Sequence, residues 1–109
     1  MIELCSLEEM FANMRANTNW NVDGPMLWGY FFTDSSSKRL ARAATRLTAQ
    51  GYRHVGIHDA DDGTWVLHVE RVETHSPHTL FARNKVLYEL ADELGLDCYD
   101  GMDVGPAPS

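Results

Sequence analysis

The order of hydrophobic periods along the chain predicts an α+β fold, a ferredoxin-like split β-α-β sandwich with an additional N-terminal helix. Three observations lead there. Short aromatic or alternating runs lie near residues 26–32, 52–58, 64–73 and 96–99, whereas helical spacing recurs at 7–16, at 36–50 and again after Ser76. Only the second and third strand segments are joined by a tight connection, so the order after the first helix is β-α-β-β-α-β. At 109 residues and 12.3 kDa, 1–109 is read as a single domain.

Ser6-Leu7-Glu8-Glu9 has the spacing of a capping box, so the first helix is expected over 7–16. Its apolar residues Leu7, Met10, Phe11 and Met14 form one stripe. Asn17-Thr18-Asn19 and Asp23-Gly24-Pro25 then make a loop. Met26 to Phe32 is too short for a core helix and rich in aromatics, and reads as the central strand. Thr33-Asp34-Ser35 supplies a cap for a helix over 36–50, with Leu40, Ala43, Ala44 and Leu47 on its buried face and Gly51 at its stop. In Tyr52 to His58 the alternation sets Val55 and Ile57 on one face and His54 and His58 on the other. Asp59 to Gly63 turns the chain into Thr64 to Glu73, where Trp65, Leu67 and Val69 alternate. Ser76-Pro77 opens the last helix, with Leu80, Leu87, Leu90 and Leu94 inward and Gly95 at its end. Leu96 to Tyr99 is a short final strand followed by an irregular tail.

Nine Lys and Arg against sixteen Asp and Glu give a net charge of −7, which opposes non-specific attraction to phosphate backbones. Direct nucleic-acid binding is therefore not expected. No run approaches the roughly 20 apolar residues of a membrane span, and the acidic start does not read as a secretory signal, so a cytoplasmic, membrane-free protein is expected. Cys5 and Cys98 lack CxxC spacing and read as reduced thiols. Beyond Lys85 there is no Lys or Arg, while Glu89, Asp92, Glu93, Asp97, Asp100 and Asp103 add six negative charges. Lys38, Arg39, Arg42 and Arg46 concentrate four of the nine cations on the second helix.

If the alternation holds, His54 and His58 share one strand face, and hairpin pairing brings His68 and Glu70 beside them. Two residues four apart on a strand stand about 13 Å apart, too far to chelate one ion together. These four read as polar residues on the wetter sheet face, with no metal or cofactor expected. In His75-Ser76-Pro77-His78 the serine stands where a helix needs a capping oxygen, which accounts for it better than a nucleophile does. No nucleophile, base and oxyanion set is recognisable, so no enzyme is expected.

Trp28-Gly29-Tyr30-Phe31-Phe32, then Trp65-Val66-Leu67-His68-Val69-Glu70-Arg71-Val72, then Tyr99-Asp100-Gly101-Met102-Asp103-Val104-Gly105-Pro106 resemble the ribonuclease E inhibitor family, the RraB-type proteins, over about 26–106. The resemblance implies a ferredoxin-like sandwich, in agreement with the element order. It also implies a non-catalytic regulator whose protein partner is a ribonuclease E-like endoribonuclease and which modulates RNA turnover. Asp100, Gly101 and Asp103, in the most family-like block, are the partner-binding candidates; Asp-Gly is equally a turn pair. An immunity protein, or another protein-binding inhibitor of a toxin, is the alternative that a small acidic domain also suits.

Overall fold

The computed structural model describes residues 2–108. Its elements are α1 (Leu4–Asn17), β1 (Met26–Asp34), α2 (Ser37–Ala49), β2 (Arg53–Asp59), β3 (Trp65–Glu73), α3 (Pro77–Glu93) and β4 (Cys98–Pro106). The four strands form one antiparallel sheet in the order β2-β3-β1-β4. Each β-α-β unit is thus split by a strand of the other, as the predicted fold requires. The three segments that carry the family resemblance are β1, β3 and β4, which lie side by side.

Even-numbered residues of β1 face the helices: Met26 is 2% exposed, and Trp28, Tyr30 and Phe32 are fully buried. Leu67 and Val69 of β3 stand opposite Phe32 and Tyr30 and extend this surface. α2 closes it with Leu40, Ala43, Ala44 and Leu47, and α3 with Leu80, Leu87 and Leu90. α1 packs against α3, and its Phe11 ring stacks on Trp28 at 5.9 Å. The other sheet face bears no helix, and Leu27 and Phe31 on it are only half-buried. β1 is therefore sealed on one face alone.

The helix starts follow local chemistry. Ser76 accepts from the Thr79 N–H, the Thr79 hydroxyl accepts from the Ser76 N–H, and Pro77 occupies the first turn. Ser36, one residue beyond the expected cap, accepts from the Arg39 N–H. The buried Asp34 carboxylate accepts from the Ser36 N–H, the Asp97 N–H and Arg39 Nε, joining the end of β1 to the start of α2 and the approach to β4. Burial alone would raise its carboxyl, but these three donors outweigh it and hold it below the ordinary range.

Four expectations are corrected. α1 begins at Leu4 with Glu3 as its uncapped N-terminal flank, so Ser6 lies inside the helix and forms no capping box. The final strand is not short: β4 pairs with β1 as far as Pro106, because a proline is tolerated at the end of an edge strand. Asp100-Gly101 is accordingly a bulge inside that strand rather than a turn, with Phe31 opposite Gly101, Phe32 opposite Tyr99, and Asp100 the extra residue. In β2, Val55 is the extra residue of a second bulge: His54 pairs with Val69 and Gly56 with His68. The alternation breaks there, so Val55 is 45% exposed while Ile57 remains packed against the core.

Trp28→Ala empties a site closed by Phe11 and His75, and it should lower unfolding free energy by about 3 to 5 kcal/mol in denaturant melts. Gly101 has φ +112°, so Gly101→Ala should cost about 1 to 3 kcal/mol by the same measurement although open space surrounds the added methyl group. An unchanged midpoint for Gly101→Ala would mean that the bulge relaxes without strain.

Candidate functional site

The densest group of ionisable side chains lies where β3 runs into α3. The Glu73 side chain is 9% exposed and carries hydrogen bonds from Arg83 and His75, with Arg71 3.5 Å away and the Tyr30 hydroxyl at 3.5 Å. His75 is itself buried, with Nε2 3.3 Å from the Tyr30 hydroxyl and Nδ1 3.0 Å from Thr79 Oγ1. Arg83 also donates to the Tyr52 hydroxyl at 2.8 Å, and Arg71 and Arg83 both stand over the Tyr52 ring. Burial alone would raise the Glu73 carboxyl, yet the bonds from His75 and Arg83 and the positive charge of Arg83 hold it below the usual range. Tyr30 moves the other way: burial and the negative Glu73 push its hydroxyl well above the phenol range.

Carboxylate, imidazole and hydroxyl here form a chain, Glu73, His75, Thr79, with the connectivity of a hydrolytic relay. The hydroxyl is already committed, because Thr79 Oγ1 accepts from the Ser76 N–H and donates to the Ser76 carbonyl in the cap of α3. A groove of about 550 Å³ runs past Glu73, His75, Thr79 and Arg83, but both guanidinium groups nearest it are bound to Glu73. The cluster secures a strand–helix junction. Sequence reading missed it, although one signal was present: Glu73 falls on the same alternation as Leu67 and Val69, which places a charge on the buried face of a strand.

The histidine face divides. The Val55 bulge turns His54 toward α2, where it lines a groove with Ala41, Ala44 and Thr45, while His58 stays on the uncovered face with His68 and Glu70. Among the described residues, no three or more His, Cys, Asp and Glu are grouped to hold a metal ion. Glu70 is buried on the uncovered face and paired with Arg53. His68 stacks on Phe31 with ring centroids 4.5 Å apart.

Of the family-block residues, Asp103 stands opposite Gly29 on this face and Gly101 opposite Phe31, whereas Asp100 is the exposed bulge residue beside them. Asp103 Oδ1 and His68 Nε2 lie 2.3 and 2.8 Å from the point a Cβ on Gly29 would occupy, so the missing side chain is what lets the two polar groups converge. His68 Nε2 is buried with no hydrogen-bond partner. Register across β1, invisible in the sequence, makes this juxtaposition.

The acidic C-terminal third is exposed at Glu89, Asp92, Glu93, Asp97, Asp100 and Asp103. Glu93 is paired with Arg46 of α2, and Asp97 accepts from the Ser35 N–H. Arg39 is likewise engaged by Asp34. Two of the four cations of α2 are thus spent inside the molecule, and no basic surface stripe results. Among the described residues no helix is long and apolar enough to cross a membrane.

A family model described as "Regulator of ribonuclease activity B" matches residues 6–104 of the chain. No curated protein and no solved structure matches it.

The Glu73 cluster makes stability depend on pH with a definite sign. A carboxyl held below its unfolded value contributes stability above the ordinary carboxylate range, and this is lost as pH falls toward the folded value. Glu73→Gln should lower stability at neutral pH by about 2 to 3 kcal/mol, since Arg83 and Arg71 retain access to water. It should also flatten the decline of stability between about pH 5 and pH 2 in chemical denaturation. Parallel pH curves for the two proteins would show that Glu73 is not held ionised by its neighbours.

Proposed function

We propose that this chain, which belongs to the regulator of ribonuclease activity B family, binds a ribonuclease E-like endoribonuclease and modulates RNA turnover by contact rather than by chemistry. The observation that carries this reading is the family match itself, which runs from within α1 into β4 and so takes in every element of the fold. The side chains are compatible with a regulator that is not an enzyme: among the described residues, the relay-like chain Glu73, His75, Thr79 ends in a hydroxyl occupied by a helix cap. A net charge of −7 suits a protein that meets basic, RNA-binding segments of a ribonuclease and competes for them, while direct contact with RNA is disfavoured. Asp100 and Asp103 are exposed acids for that contact, Asp100 as the bulged residue and Gly101 beside it with the positive φ. The protein would act in the cytoplasm, beside its ribonuclease, without a cofactor.

Purified chain added to ribonuclease E should slow cleavage of a single-stranded RNA until a fixed stoichiometry is reached. Binding measured by isothermal titration should weaken as salt rises from about 0.05 to 0.3 M, because rim charges steer such encounters within a Debye length that shrinks from about 14 to about 6 Å over this range. Asp103→Asn should bind several-fold more weakly with an unchanged melting temperature. No heat of binding together with unaltered cleavage would remove ribonuclease E as the partner.

A further inference from the structure

We propose that His68 and Asp103 form a proton-dependent clasp across Gly29: a charged His68 draws the Asp103 carboxylate onto the sheet, and a neutral His68 leaves it free at the surface. The clasp is a property of the chain alone. Its consequence for a partner rests on the reading of Asp103 as a contact residue, since the clasp withholds that carboxylate at low pH and offers it at high pH.

The sheet brings the two groups together from opposite sides of β1. Gly29 pairs with Glu70 of β3 along one edge and with Asp103 of β4 along the other. Asp103 Oδ1 and His68 Nε2 stand 2.3 and 2.8 Å from the single point that a Cβ on Gly29 would occupy. No bond joins them in this arrangement, and Asp103 takes part in no ion pair among the described residues, so the clasp stands open. The His68 ring is held by its stack on Phe31, with centroids 4.5 Å apart. Its Nε2 is shielded from water and lacks a hydrogen-bond partner, so that atom can be satisfied only from within the molecule. Asp103 is exposed, and the movement that closes the clasp is confined to its short side chain.

Charge decides whether it closes. A carboxylate oxygen only accepts, so the bond requires a hydrogen on Nε2. Protonation puts hydrogen on both ring nitrogens and adds a charge, and a charge-assisted bond is about twice as strong as a neutral one. A neutral ring carries a single hydrogen, and the exposed carboxylate then returns to water. Histidine side chains change charge between about pH 5 and 8, where aspartates are ionised. The attraction is therefore present where the ring is charged and is lost as pH rises through the histidine range.

The other titratable groups on this face stand in defined places. Glu70 of β3 is bound to Arg53 of β2. His58 lies two pairs further along the β2–β3 ladder, opposite Val66, while Gly56 stands opposite His68. On β4, Asp100 is exposed at the bulge and Cys98 is opposite Thr33. Gly29 and Phe31 of β1, which lie between His68 and Asp103, do not titrate.

The test is a double-mutant cycle on the full chain. Wild type, Asp103→Asn, His68→Phe, which keeps a ring on Phe31, and the double variant are unfolded in denaturant at about pH 5.5 and about pH 8.5. The cycle cancels the titration of groups common to all four proteins. His68 and Asp103 should be coupled by at least about threefold in the unfolding constant at the lower pH, and by less than about 1.5-fold at the upper one. In ¹³C NMR the Asp103 carboxyl carbon should shift stepwise between these pH values, and the step should vanish in His68→Phe. It should vanish too in Gly29→Ala, whose methyl group takes the meeting point. Absent coupling, equal coupling at the two pH values, or a carboxyl step that survives His68→Phe would each overturn the proposal. The cycle contains no ribonuclease, so the two readings fail separately. A clasp found here, with ribonuclease binding insensitive to Asp103→Asn, would discard the contact and keep the clasp.

Discussion

Strand β1 has to hydrogen-bond along both of its edges while burying three large rings on one face, and segments from α1 to β4 are fitted to those rings. Trp28 receives Phe11 of α1 and the edge of His75 at the start of α3; Tyr30 receives Tyr52, which follows α2; Phe32 receives Tyr99 of β4. Such pairs contribute about 0.5 to 1.5 kcal/mol each beyond the area they bury. Their greater effect here is positional, since they place elements from both ends of the sequence on one strand. Even the N-terminal helix, an addition to the β-α-β pattern, is tied to the sheet's central strand by a ring contact.

Two carboxylates, Asp34 and Glu73, occupy equivalent places in the two halves of the fold. Asp34 ends β1 just ahead of the Ser36 cap of α2, and Glu73 ends β3 just ahead of the Ser76 cap of α3. Each sits at the N-terminal end of a helix, where negative charge is favoured by the helix dipole. Each also binds an arginine of the helix that follows: Asp34 binds Arg39, and Glu73 binds Arg83. In register they lie at opposite ends of the β1–β3 ladder, with Met26 opposite Glu73 and Asp34 opposite Trp65. Between them β1 turns Met26, Trp28, Tyr30 and Phe32 into the core, and the Tyr30 hydroxyl reaches the Glu73 end of it.

Much of this frame was legible in the sequence because it rests on local rules. The stripe Leu40, Ala43, Ala44, Leu47, the Ser76-Pro77 start and the aromatic run of β1 each have one physical solution, and the element order then restricts the topology. What escaped was non-local. Alternation through His54, Val55 and Ile57 carries no sign of the extra residue, because a bulge exists only relative to a partner strand. Asn84 interrupts the leucine stripe of α3, yet it is buried, since Tyr99 of β4 donates to its side chain at 2.6 Å. The glycines and proline of β4 suggested a loop, although an edge strand needs only one ladder. Asp103 was found through family resemblance, whereas its neighbour His68 came within reach only through the pairing of both strands with β1.

The two bulges have a consequence for the protein as a solute. β2 and β4 are the free edges of the sheet, and each carries its irregularity in its own backbone, at Val55 and at Asp100. A flat, regular edge offers a template on which a second chain can add a strand and propagate, and an extra residue spoils that template by kinking the row of N–H and C=O groups. Both ends of this sheet are blunted in the same way. A whole sheet face is uncovered, yet neither edge beside it offers a second chain an unbroken row on which to add a strand.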